Sequence, residues 1–132
     1  MNAGDAFIIA EPGTSYDSHL WIVISDPAKD PEQVVLVNFT KHRADKDQAC
    51  VVECGDHPFI KQRTCVEYRR ARMLSVKTLQ TFLDSGLMVS HKPASPDLLA
   101  RIRAGVPRSR MHNEHVLILT LQGLVDPDDC GF

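Results

Sequence analysis

The chain has 132 residues, 43% hydrophobic and 24% charged, which is one domain's worth of sequence with enough apolar side chains to bury a core unaided. No apolar run approaches the roughly 18 residues needed to cross a bilayer. No positive segment precedes the first apolar patch, which speaks against a secretory signal and a membrane partner. The expected location is therefore the cytoplasm, with the four cysteines as reduced thiols. The net charge of -2 conceals an asymmetry: residues 1–60 carry four basic and ten acidic side chains, residues 61–123 eleven and four. A basic second half can attract anions even when the whole chain is acidic.

In chain order, the first half reads as strands. Ala6 to Ala10 is a short apolar run that ends in the turn signal Glu11-Pro-Gly13. His19 to Ser25 follows and is broken by Asp26 to Pro31, because two prolines there cannot donate to a ladder. Val34 to Phe39, Ala49 to Glu53 and Thr64 to Tyr68 complete the set. Short runs with turn chemistry between them predict an antiparallel sheet of about five strands that curls into a small barrel. The second half reads as helices. Ser75 is a good N-cap, Val76, Leu79, Phe82 and Leu83 share a face, and Gly86 suits the position past the last turn. Ser95-Pro96-Asp97 opens another helix, with Leu98, Leu99 and Ile102 as its buried stripe and Gly105 at its end. His115 to Leu121 reads as a third helix entered from Ser109, with a closing strand as the alternative. The fold class is α+β and β-rich: a single domain with a barrel over residues 4–72, a helical extension over 73–123 and a loose acidic tail over 124–132.

The third strand empties into Thr40-Lys41-His42-Arg43, a set suited to a phosphodiester. Cleaving RNA without a metal requires a base for the 2′-hydroxyl, an acid for the leaving 5′-oxygen and donors for the phosphorane charge. His19 and His42 are candidates for proton transfer, since imidazole alone among side chains ordinarily titrates near neutrality. Thr40 can hydrogen-bond a phosphate oxygen, Lys41 adds an ammonium, and Arg43 can hold two oxygens at once. Arg63, Arg69 and Arg70 surround Tyr68, where guanidinium binds phosphate and a ring can stack on a base, as in a single-stranded RNA track. Each of these also suits a solvated loop or strand end. Trp21 and Phe39 lie in apolar strands and read as core.

Cys50-x3-Cys54 with His57 and Cys65 has superficial zinc spacing. The usual structural knuckle is Cys-x2-Cys, however, and buried thiols often serve as small apolar residues, so no metal or other cofactor is expected. His112-x2-His115 has helical spacing without a carboxylate run nearby and reads as packing or surface. Gly55-Asp-His-Pro58 reads as a turn.

The order of these pieces is Gly4-Asp5-Ala-Phe-Ile-Ile, then His19-Leu-Trp-Ile-Val-Ile-Ser-Asp26, then Val34-Val-Leu-Val-Asn-Phe-Thr40, then Thr64-Cys-Val-Glu-Tyr68 leading to Leu74-Ser-Val-Lys-Thr-Leu79. Over about residues 4–83 this resembles the PemK/MazF-like toxins of bacterial toxin–antitoxin pairs. The resemblance implies an SH3-like barrel, a homodimer, metal-independent endoribonuclease action on single-stranded RNA, and neutralisation by a small antitoxin protein. The family's threonine after the third strand is matched by Thr40. Its Arg-Pro at the start of the second strand is replaced here by His19-Leu20, and its Arg-x-Asp pair falls on Glu67 and Arg69 with the charges reversed. A non-catalytic barrel that binds a protein or nucleic acid is the alternative.

Overall fold

The computed structural model describes residues 1–9 and 19–125. The turn expected at Glu11-Pro-Gly13 and the acidic tail from Asp126 onward lie outside them. The strands are β1 (Ala6–Ile9), β2 (His19–Val23), β3 (Gln33–Lys41), β4 (Val51–Val52), β5 (Thr64–Ser75) and β6 (Met88–His91). They form one antiparallel sheet in the order β4-β5-β3-β2-β1-β6, curled into half a barrel. The helices are α1 (Val76–Ser85), α2 (Pro96–Gly105) and the single turn α3 (Ile118–Leu121), with 3-10 turns at Val106–Arg108 and Glu114–Leu117.

The α+β class agrees with the sequence, and several boundaries differ. β5 runs on to Ser75, and β6 returns to the sheet from within the stretch expected to be helical. Only Met88 of β6 is buried, so its four residues carry no apolar alternation to announce a strand. The last helix starts after Asn113 rather than Ser109, which leaves His112 outside it. Asn113 caps it by accepting from the His115 N–H at 3.0 Å. Leu124 and Val125, the start of the expected loose tail, pack against the core.

The caps are local and match their residues. The Ser75 hydroxyl accepts from the Thr78 N–H at 3.0 Å, and the Ser95 hydroxyl accepts from the Leu98 N–H at 3.1 Å. Gly86 ends α1 at φ 82, where a side chain would be strained. Gly105 has a different reason. It sits at φ -73, and a Cβ there would lie 3.0 Å from Tyr68 Cζ and 3.1 Å from Cys50 Cβ. Its missing side chain lets α2 press onto β5.

Two cores result. One face of the sheet buries Leu20, Ile22, Val37, Val66 and Tyr68 under Leu98 and Ile102 of α2 and Val116 and Leu119 of the last turns. Each such aliphatic side chain contributes about 1.5–3 kcal/mol. The other face buries Phe7, Trp21, Val23, Leu36 and Met88 under Leu79 of α1. α1 covers only one end of that face.

The free edges of the sheet, β4 and β6, are joined by side chains. The connection after β4 carries His57 and Phe59 to the end of β6, where His57 Nε2–H donates to the Lys92 carbonyl at 2.6 Å and Nδ1 accepts from the Phe59 N–H at 3.1 Å. The His91 ring stacks beside both, 5.1 Å from His57 and 6.0 Å from Phe59. Burial holds the His57 pKa below its usual value, in keeping with a neutral ring bonded at both nitrogens.

Candidate functional site

The end of the second face away from α1 holds a cleft of about 380 Å³ lined, among the described residues, by Ile9, His19, Trp21, Asn38, Arg70, Ala71 and Arg72. Strand alternation builds it. His19 and Trp21 are two apart in β2 and share a face. Trp21 pairs with Asn38, and Asn38 pairs with Glu67, so three side chains form a row across β2, β3 and β5.

A bulge in β5 then brings in the arginines. Glu67 stands opposite Asn38 and Arg72 opposite Leu36, so residues 68–71 of β5 face the single residue Val37 of β3. The carbonyls this frees at Arg69 and Ala71 accept from Asn113 Nδ2 at 3.0 and 2.8 Å. The bulge lets Arg70 reach Glu67 and sets the Arg72 guanidinium 5.4 Å from the centre of the Trp21 ring, a cation–π contact.

Charge beside the cleft is arranged around Glu67, which lines a neighbouring smaller hollow and whose side chain is 6% exposed. Its carboxylate is 3.2 Å from Arg70 Nε, 3.5 Å from Lys46 Nζ and 3.9 Å from Arg69 Nη2. Arg70 is 57% exposed at its side chain, so its guanidinium both anchors on Glu67 and faces solvent. His19 Nδ1 lies 3.4 Å from the Phe39 carbonyl. With the proton on Nδ1 donated there, Nε2 is the basic atom. Asn38 is buried, and its Oδ1 has no hydrogen-bond partner among the described residues.

Of the residues expected to act together, the cleft joins His19 and Arg70 and adds Trp21, Asn38 and Arg72, with Glu67 holding Arg70. Thr40 lies two residues beyond Asn38 on the same face, half-buried opposite Cys65, and is not part of the lining. Lys41 is exposed at the end of β3. His42 and Arg43 belong to a turn pinned by Gln48, which bonds His42 Nε2 at 2.6 Å and donates to the Arg43 and Lys46 carbonyls at 2.7 Å. Arg43 pairs with Asp45 at 3.5 Å in the open. The shared site expected for His19 with Thr40, His42 and Arg43 is thus divided between the cleft and this turn. Arg63 is bound to Glu53 at 2.8 Å on the connection after β4, and Arg69 lines a smaller hollow beside Lys46, Asp47 and Met111.

Tyr68 is a correction. Its ring is fully buried on the opposite face, and its hydroxyl donates to the Ile102 carbonyl at 2.7 Å, so it offers no surface to a base. Trp21 is core, as expected, yet its edge also lines the cleft. The signal that could have found the missing residues is the pair His19-x-Trp21 and Asn38-x-Thr40, polar and aromatic groups at period two. The bulge that adds Arg72 has no such signal.

Two of the hollows larger than the cleft flank α2, and several of their polar groups are already engaged. In one, of about 620 Å³, Arg103 Nε donates to the Ile24 carbonyl at 2.8 Å. In the other, of about 560 Å³, Arg101 is bound to Asp56 at 3.0 Å and Asp97 at 3.3 Å, and both nitrogens of His57 are used. The zinc spacing does not converge either. Cys50 and Cys65 are buried, with thiols pushed up by burial, and Cys54 is exposed. Among the described residues no group of three or more His, Cys, Asp or Glu is placed to hold a metal ion. No helix among them is long and apolar enough to cross a membrane. Compared with family models, curated proteins and solved structures, the chain matches none.

Proposed function

We propose that the chain is a toxin-like endoribonuclease that cleaves single-stranded RNA at this cleft with side chains alone. The observation that carries the reading is the placement of His19, Arg70 and Arg72 along one cleft of the sheet. In the reaction His19 Nε2 takes the proton of a ribose 2′-hydroxyl, the 2′-oxygen bonds to phosphorus and the bond to the 5′-oxygen breaks. The leaving oxygen receives a proton from solvent, and the products end in a 2′,3′-cyclic phosphate and a 5′-hydroxyl. Arg70 and Arg72 neutralise the charge that builds on the phosphorane. Thr40 extends the same face toward the next phosphate.

The resemblance in strand order to PemK/MazF-like toxins supports the SH3-like description, the homodimer, the cytoplasmic setting and a small antitoxin as partner. The test is incubation of the purified chain with single-stranded RNA in a chelator, beside His19→Ala and Arg70→Ala. Fragments with cyclic phosphate ends from the wild type alone are the expected result, and intact RNA with folded wild type sinks the reading. One feature favours a barrel that binds without cutting: Glu67 engages three cations and lowers the positive charge left for phosphate. RNA bound but uncut would select that alternative.

A further inference from the structure

Asn38 is the unexplained polar group of the cleft. It is 2% exposed and its Oδ1 meets no donor among the described residues, whereas buried carbonyl oxygens are nearly always paired. Its neighbours in the sheet leave it unpaired: the Trp21 indole N–H on one side makes no bond to it, and on the other is Glu67, itself an acceptor. Of the two guanidiniums in the cleft, Arg70 is turned to Glu67 and Arg72 lies over the Trp21 ring. Among the described residues none places a donor there, and a ligand can bring one.

We propose that Asn38 reads the edge of one unpaired nucleobase and selects a base bearing an exocyclic amino group over uracil. This deepens the RNA-cleavage reading and rests on it. An exocyclic amine projects beyond its ring and can reach a recessed oxygen, while the ring nitrogen beside it accepts from Asn38 Nδ2. This is how an asparagine amide pairs with adenine, and the N4 and N3 atoms of cytosine offer the same pattern. While the amide keeps this orientation, uracil presents a carbonyl where cytosine has its amine, setting acceptor against acceptor. A cleft of about 380 Å³ has room for one such base. Arg70 and Arg72 are exposed and can swing from Glu67 and Trp21 to stack on the base or take its phosphate, and that movement uncovers the amide.

Short deoxycytidine and deoxyuridine oligomers test this directly, because they differ in the decisive group and lack the 2′-hydroxyl needed for cleavage. The wild type should bind the deoxycytidine oligomer about tenfold tighter. Asn38→Ala, checked for folding by its melting curve, should bind the two alike. Asn38→Asp, which retains the acceptor, should bind both more weakly and still favour cytosine. Equal binding by the wild type, no binding of either oligomer, or discrimination that survives in Asn38→Ala overturns the proposal. Should Asn38→Ala not fold, loss of the cytosine preference in Asn38→Asp overturns it. A wild type that discriminates but leaves RNA intact keeps this inference and removes the nuclease. One that cuts RNA yet binds the two oligomers alike does the reverse.

Discussion

Glu67 and Tyr68 are consecutive in β5, and the two faces they serve follow opposite rules. On the Tyr68 side, polar atoms are paired internally: the hydroxyl bonds Ile102, and Gly105 removes its own side chain to let that happen. On the Glu67 side a carboxylate is held by cations, two of them with exposed guanidiniums, and the neighbouring amide oxygen has no partner among the described residues. Strand alternation allows this division. One set of residues is spent on stability, and the other is left unsatisfied, where a ligand can complete it.

That contrast can be broken from either side. The largest effect should come from His19→Ala, which is expected to lower the RNA cleavage rate about 10²- to 10⁴-fold and leave the urea midpoint nearly unchanged. A large fall in stability with cleavage retained would show that the cleft face also serves the core. Gly105→Ala should do the opposite. Its new methyl meets the Tyr68 ring and Cys50, and overpacking of this kind costs about 1–3 kcal/mol, read as a lower urea midpoint with unchanged activity per folded molecule. A neutral Gly105→Ala would mean that α2 can move off the sheet.

Acid should act more gently, at the join between the sheet edges. Burial holds the His57 pKa down, so the unfolded chain takes the proton first. The stability from this group is present above the unfolded value of about 6.5 and lost as pH falls through the folded value. Stability measured from pH 7.5 downward should therefore decline more steeply in the wild type than in His57→Gln, and parallel curves would rule out this role. Smallest of all, Arg43→Ala should shift stability by no more than about 0.5 kcal/mol, since an exposed pair such as Arg43–Asp45 is screened by water. A large loss of cleavage in that variant would move the active centre from the cleft to the turn.

What could be read from the residues was what neighbouring residues decide. Ser75, Gly86 and Ser95-Pro96 act on backbone groups within a few positions, and the helices start and stop where those residues say. β6 exists because β1 offers it a partner some eighty residues earlier, a relation with no local mark. Tyr68 departs from its expected place for a similar reason. Arginines on either side suggest surface, but the Tyr68 ring is on the other face from Glu67, and only the packing of α2 reveals that the face is closed. His19 and Arg70 were recognised as reactive types, and the partners that join them come from register.

The bulge in β5 gives the strand a hidden parity. Glu67 and Arg72 are an odd number of residues apart and still share a face, because the bulge absorbs the mismatch. Losing a single residue between them would invert the rest of the strand, sending Arg72 toward the α2 core and Leu74 away from its place beside Val34. Substitutions in this segment can be tested one at a time by selection, whereas a change of length by one would damage cleft and core together. Related sequences should therefore vary in composition between these two positions while keeping the spacing constant.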